Sequence, residues 1–434
     1  MSHAASGATQ ATRTAVPQVT AERKPAAVTG GFCQARRVKI LFATAPGYGL
    51  TLPLIPLVWA ARAAGHEVLL ATSAEMVDAG ARAGLPAFDV FPQRDVWDDL
   101  MGTVAGKPED EFPEEYRLAR RAGNPFGLFT VTMTEGTIEA GRLFGADLVV
   151  HTSDHAAGML AAVALGVPAL EVGNRISWSV RDADWRAEHH VFGEDEVSDL
   201  MRAKLGIGDA KPAVLARVDP RAPSMGGLAA GAEHPDERDG VPWWAMRFVP
   251  FNGGAVVPDW ALRRPDRPRI AVTLGTVVPV MSGVSSLAVV LEGLGPLDVE
   301  VVLAAGTADL TELGELPPNV RSVGYLALSA FLPSCSAIVH HGGSGTTAAP
   351  LSYGVPQLVL PSFADNPLSA QRVADRGVGL SHDPATVDAA TVRALVERLL
   401  TEDGFRTAAR EVAAEMATQP SPADVLARAV AALG

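Results

Sequence analysis

Three apolar residues, Ala337-Ile338-Val339, run directly into His340-His341-Gly342-Gly343-Ser344-Gly345-Thr346-Thr347, and residues 346–352 beyond them read as a helix. A buried strand that closes on a glycine-rich turn and opens a helix is a corner of an α/β sheet, and no other stretch constrains this chain as much. The first amides of such a helix have no partner within it. They face the strand end together with the positive end of the helix dipole, which makes an anion site. Gly343 and Gly345 allow the backbone to approach an anion closely, while Ser344, Thr346 and the imidazole of His341 can add hydrogen bonds. A second strand after Gly354 leads to Asp365 and Asn366, an acid and an amide suited to a polyhydroxylated ligand beside the anion. No Lys follows the glycines, so this is not a Walker A loop, and the spacing is not that of a dinucleotide-binding turn.

The same corner recurs. Residues 38–43 read as a buried strand, 44–51 as its loop, 52–64 as a helix with Thr51 as N-cap and Gly65 at its end, and 67–72 as the next strand. Further units follow at 145–151, with a helix over 158–165, and at 167–172. Residues 248–267 then turn to Pro, Gly and charge, which marks a linker. Past it, strands are expected at 269–274, ending in Gly275-Thr276, and at 299–303, 319–323 and 337–339. A helix over 387–400 carries an apolar stripe at Val392, Leu395, Val396, Leu399 and Leu400, and Ser421-Pro422 should cap a terminal helix through Leu433.

A chain of 434 residues exceeds the usual size of one core. The expected fold is therefore α/β, two Rossmann-like doubly wound domains facing across a cleft. Residues 1–36 form a disordered extension, 37–250 an N-terminal domain, 251–267 a linker, 268–415 a C-terminal domain, and 416–434 a helix packing back toward the N-terminal domain. Ligands in open α/β sheets bind outside the carboxyl ends of the strands, so Gly275-Thr276, the turn after Tyr325, the glycine turn and Asp365-Asn366 should converge on one crevice.

Composition narrows the partners. Thirty-six basic against 49 acidic residues give a net charge of −13, which argues against nucleic acid because phosphate contacts need clustered Lys and Arg. Cys33 and Cys335 make no disulfide framework, no stretch is long and apolar enough to span a membrane, and residues 1–36 lack a secretory signal core, so a cytoplasmic location is expected. The irregular stretches 91–132 and 173–245 hold Trp97, Tyr116, Phe126, Phe129, Trp178, Trp185, Trp243 and Trp244, which either pack loops or line a hydrophobic pocket.

The run HHGGSGT, then GVPQLVLP, then FADN and AQRV resembles the donor segment of nucleotide-sugar glycosyltransferases of the GT-B fold. In particular it looks like the family 1-like actinomycete enzymes that attach deoxysugars to polyketide antibiotics. The resemblance extends to GHEVLLAT after the first helix, FVPFNGGAVVPDW before the linker and TLGT at 273–276. It implies a dTDP-linked sugar donor held mainly by the C-terminal domain, a hydrophobic aromatic acceptor, no cofactor and no metal, with a homodimer compatible. By position Tyr325-Leu326 takes the place where relatives carry a base-stacking Trp. His341, Ser344, Gly345 and Thr346 would contact the diphosphate, and Asp365 with Asn366 the sugar hydroxyls. Relatives more often have Gln where this chain has Asn366, one methylene shorter.

Many relatives carry Gly-His-x-x-Pro in the first loop, the His acting as general base. Here the matching run is Gly49-Leu50-Thr51-Leu52-Pro53, and leucine accepts no proton. Three readings stand. One relocates the base to His151, Asp154 or His155 at the next strand end, Asp154 foremost, beside the plain alternative that Asp154 or Ser153 caps the following helix. Another makes the nucleophile an electron-rich aromatic carbon, giving a C-glycoside. Or the chain is a non-catalytic helper that keeps the fold, with an epimerase acting on the nucleotide sugar as a further alternative.

Overall fold

Apolar runs separated by helices bury both faces, and such runs pair in parallel because each crossover places a helix on the sheet. The computed structural model describes residues 37–434 apart from 105–107, 109, 111, 113–115, 118, 120–125, 190, 232, 276–284 and 307; the expected extension over 1–36 lies outside the described residues. The first sheet holds β1 (Lys39–Ala43), β2 (Glu67–Thr72), β3 (Ala87–Asp89), β4 (Leu148–Thr152), β5 (Ala169–Val172), β6 (Val214–Asp219), β7 (Glu233–Pro235) and β8 (Pro242–Ala245). Their spatial order is β3-β2-β1-β4-β5-β6-β8-β7, parallel throughout except for β7 against β8.

The second sheet holds β9 (Arg269–Thr273), β10 (Glu300–Leu303), β11 (Val320–Ser322), β12 (Ala337–His340), β13 (Gln357–Val359) and β14 (Gly379–Ser381). Its order is β11-β10-β9-β12-β13-β14, all parallel. Strand order reverses between β1 and β4 in one sheet and between β9 and β12 in the other. At each reversal the connections leave in opposite directions and open a crevice at the carboxyl ends. This is the two-sheet, doubly wound architecture expected from the sequence.

One element departs from its expectation. The single helix from residue 52 is instead three pieces: Tyr48–Thr51, a 3-10 turn Leu52–Leu54, and Ile55–Ala63. Pro53 and Pro56 supply no N–H, so the ladder breaks at each. Thr51 is buried rather than capping; its Oγ1 donates to the Ala45 carbonyl at 2.9 Å and lies 3.0 Å from Thr44 Oγ1, which staples the loop to its own start. Of the later caps, Ser421 stands in its expected place and Asp388 is a further one. Asp388 accepts from Thr391 N at 2.7 Å at the head of Ala389–Thr401, and Ser421 makes a capping box with Asp424 at the head of Pro422–Ala431.

That terminal helix packs Val425, Leu426 and Ala429 into the core of the first sheet with Ile55 and Val58. A second shared core joins the two sheets, with Ile176, Met225 and Phe248 packed against Leu351, Ala370 and Val412. Trp243 and Trp244 are buried core residues, while Trp178 and Trp185 stack face to face with centroids 4.3 Å apart. Burial pushes the free Cys335 thiol up to about 12, and Cys33 lies outside the described residues. No described helix is long and apolar enough to cross a membrane.

Candidate active site in the cleft

The two adjacent histidines divide their work. His340 ends β12 and is 1 % exposed. Its Nδ1 accepts the Gly342 N–H at 3.1 Å, so its Nε2 carries the proton and donates to Gln357 Oε1 at 2.8 Å, while Gln357 Nε2 donates to the Thr347 carbonyl at 3.1 Å. This chain fixes the turn and holds His340 neutral, burial pushing its pKa down to about 3. His341 turns the other way, into a cavity of about 480 Å³ that lies at the carboxyl ends of both sheets. Burial lowers its pKa to about 4, with the Thr273 backbone pulling the other way, so at neutral pH it is an uncharged imidazole that can donate a hydrogen bond.

Behind that ring begins the Ser344–Tyr353 helix, whose N-cap Gly343 offers no side chain, leaving the first amides toward the cavity. Gly343, Ser344, Gly345 and Thr346 all line it. Ser344 also accepts the Ile176 N–H at 3.1 Å, which ties the anion end to the first sheet. Asp365 and Asn366 flank the same end. Ala364, just before them, has φ +52°, a left-handed conformation uncommon for a residue with a side chain, and it turns the chain so that Asp365 faces the cleft. Asn366 Nδ2 donates to Ser362 Oγ at 2.9 Å. Asp365 is engaged by Arg175 Nη1 at 3.3 Å and by the Ser177 hydroxyl.

At the far side of this end stand Tyr325 and Leu326, near Gly306 and Gly324. Tyr325 donates to the Asn252 carbonyl and faces Tyr48 from the first sheet, ring centroids 6.4 Å apart. Tyr48 in turn donates to Glu75 at 3.2 Å; burial and that carboxylate push its pKa up to about 12. Gly275 lines the cavity, and Thr276 lies outside the described residues.

From the first half of the chain the cavity also takes an apolar wall. Leu50, Leu52, Pro53, Trp97, Leu100, Met101, Phe126 and Phe251 line it, so of the aromatics singled out in the sequence Trp97 and Phe126 reach the cavity and the others pack elsewhere. Gly49 lines it too, whereas Thr51 is held beneath by Thr44. Among the described lining residues, the ionisable ones are Tyr48, Arg175, Tyr325, His341 and Asp365, and the run Gly49–Pro53 itself contributes no His or carboxylate.

His151, Asp154 and His155, the expected bases, do not line the cavity. They are 4 %, 2 % and 1 % exposed, and Asp154 lies beneath the loop that carries Leu50. Asn174 Nδ2 bridges Asp154 Oδ2 at 2.9 Å and the Leu50 carbonyl at 3.5 Å, which seals that loop over the carboxylate. His155 is pushed down to about 3 by burial and by the neighbouring His151, whose own pKa burial lowers. Both imidazoles are thus held neutral, and neither lines the chamber.

Sequence reasoning missed the segment that binds the parts together, residues 174–177 after β5. Arg175 donates to both Asp154 (Nη2, 3.2 Å) and Asp365. Burial disfavours its charge, yet the two carboxylates overcome this and raise its pKa. Nothing in the local string NRIS marks it. Tyr48 was likewise hidden in a loop read only for its missing histidine. Among the described residues no group of three His, Cys, Asp or Glu side chains is placed to hold a metal ion.

Comparison with known proteins places this geometry. Residues 59–275 match the model for the N-terminal domain of erythromycin biosynthesis protein CIII-like proteins, and residues 288–432 that for their C-terminal domain. Elloramycin glycosyltransferase ElmGT of Streptomyces olivaceus is 36 % identical over 416 residues, spanning 92 % of this chain and 98 % of the relative. The crystal structure of the glycosyltransferase SnogD from Streptomyces nogalater superposes with a TM-score of 0.73 at 34 % identity, covering 92 % of this chain and all, 100 %, of that one. The glycosyltransferase SsfS6 of Streptomyces sp. SF2575, complexed with thymidine diphosphate, does so with a TM-score of 0.70 at 31 % identity, over 90 % and 99 % of the two chains.

Proposed function

We propose that this chain, which belongs to the erythromycin biosynthesis protein CIII-like glycosyltransferases, moves a deoxysugar from a dTDP-sugar to a hydrophobic aromatic polyketide aglycone by a single inverting displacement. The observation that carries the reading is one cavity lined both by the glycine turn at the head of the Ser344–Tyr353 helix and by the apolar side chains of Trp97, Leu100, Met101 and Phe126. Relatives named for elloramycin and daunosamine transfer, and a neighbour holding thymidine diphosphate, support the donor and acceptor classes.

In this mechanism the diphosphate leaves against the first amides of the Ser344–Tyr353 helix and the His341 imidazole. These meet the developing charge without a metal ion. Asp365 and Asn366 hold the sugar hydroxyls, and the Tyr325–Tyr48 pair receives the thymine. The aglycone lies in the apolar chamber and attacks the anomeric carbon from the face opposite the leaving group.

The Gly49–Pro53 run offers no His or carboxylate as base, so the acceptor supplies its own acidity. A phenol ionises near pH 10, far more readily than an aliphatic alcohol, and gives its proton to solvent. The phenolate attacks through oxygen or, with the charge delocalised, through ring carbon, whose own proton is then lost to water as the ring regains aromaticity, while the diphosphate leaves. We place the reaction in the cytoplasm, with no nucleic-acid partner and a homodimer as the assembly to look for.

The test is incubation of the purified chain with dTDP-deoxysugars and a panel of aromatic polyketide aglycones with and without EDTA, followed by mild acid. A conjugate formed equally with EDTA supports the reading; an acid-stable one identifies a C-glycoside and an acid-labile one an O-glycoside. Binding of dTDP without any product across the panel would instead favour a helper protein that keeps the fold.

A further inference from the structure

Four consecutive residues tie the end of β4 to the donor end of the cavity. Asn174 Nδ2 and Arg175 Nη2 both donate to Asp154 Oδ2, at 2.9 and 3.2 Å. The same guanidinium reaches Asp365 Oδ1 through Nη1 at 3.3 Å. Ile176 donates its N–H to Ser344 Oγ at 3.1 Å, and the Ser177 hydroxyl donates to Asp365 Oδ2. The Asp154 side chain is fully buried, 0 % exposed, and that of Arg175 is 12 % exposed at the cavity wall. A planar guanidinium with fixed N–H directions, gripped at one edge, presents its other edge in one orientation.

We propose that Asp154 is a positioning residue that acts through Arg175. It anchors the guanidinium, and the guanidinium with Ser177 aims the Asp365 carboxylate at the hydroxyls of the donor sugar. Arg175 and Ser177 each occupy a site on a different oxygen of Asp365, so the acceptor directions left over are set by the strap and not by Asp365 alone. A strand end of the first sheet thereby determines which pattern of sugar hydroxyls the second sheet accepts. The inference rests on the reading of Asp365 as a sugar ligand.

The full-length chain carrying D154N, R175K, D365N or D154N/D365N tests it. Each is assayed for donor KM, kcat and preference between two dTDP-6-deoxyhexoses that differ by one ring hydroxyl, with thermal melting to show that it folds. R175K keeps the charge but cannot span both carboxylates. D154N and R175K are expected to raise donor KM about 10-fold and to flatten the preference, with kcat within about threefold, the loss of one charge-assisted hydrogen bond. The double variant should lose no more than D365N alone. If D154N instead abolishes kcat while donor KM and preference stay intact, Asp154 takes part in the chemistry and the proposal is overturned. D365N that disturbs preference while D154N and R175K leave it unchanged overturns the proposal alone. D365N without effect on KM or preference removes the sugar-site reading and the proposal with it.

Discussion

Gly275 has no side chain because the His341 imidazole fills the space where one would begin. A Cβ built on Gly275 would lie 2.4 Å from His341 Cε1, well inside contact distance, and the residue's φ of +69° is in the left-handed region. Gly343 meets the same ring from the other side, its Cβ falling 2.5 Å from Nε2. Two glycines from two strand ends thus form the slot that holds His341, the one histidine among the described residues that lines the cavity.

Gly275→Ala is therefore expected to displace the ring and to cost as much activity as losing it. Combined with His341→Ala, the double variant should be no worse than His341→Ala alone, since both act on one group. Additive losses in kcat/KM for the donor would break the link between slot and ring.

The two histidines should separate cleanly. His341→Ala is expected to lower kcat by about 100-fold or more with little change in melting temperature, because it removes a donor to the leaving group. His340→Ala, which leaves Gly342 N–H and Gln357 Oε1 buried without their partner, should cost about 2 kcal/mol of stability. Steady-state kinetics beside thermal melting would reveal a reversed pattern at once.

Leu50→His places an imidazole on the apolar wall, in the loop that Asn174 ties to Asp154. Donor binding should be unchanged, while aliphatic alcohols, too weakly acidic to ionise alone, become usable acceptors. Isothermal titration with dTDP and turnover with an alcohol acceptor check the two halves; a variant that binds donor normally but gains no alcohol transfer would show that the chamber lacks more than a base.

Acid should unfold the protein before its carboxylates titrate. Burial holds His155 and His340 near 3 and His341 near 4, all below the ordinary histidine value of about 6.5. The unfolded chain therefore binds more protons than the folded one across that window. The stability contributed by the neutral histidines is complete above about pH 6.5 and is lost as pH falls toward about 4. Melting temperature measured from pH 7 down to pH 4.5 is expected to decline steadily; a flat profile would mean that these rings are already solvated.

Much of this protein is written locally. The strand, glycine turn and helix around HHGGSGT, the Ser421-Pro422 cap and the stripe of Val392, Val396 and Leu399 depend on neighbours within a few residues, where burial, capping and dipole act, and so they could be read from order alone. The motif points to His341 as the ligand-side histidine, but what turns its neighbour His340 inward could not be read, since it is Gln357, which closes the chain of hydrogen bonds on His340 from the next strand. Asp154 looked like a base because a strand end exposes its residues in general. Only the packed molecule shows Asn174 and Arg175 closing over it. Arg175 meets Asp365 across 190 positions of sequence, and such a pair exists only once two sheets, each complete in itself, have been brought edge to edge by a shared core. The sequence determined the sheets, the glycine turn and the family of the chain. The tertiary structure decided which side chains share the cavity, because short-range forces shape elements but only close packing between distant elements sets which groups stand within hydrogen-bond reach of a substrate.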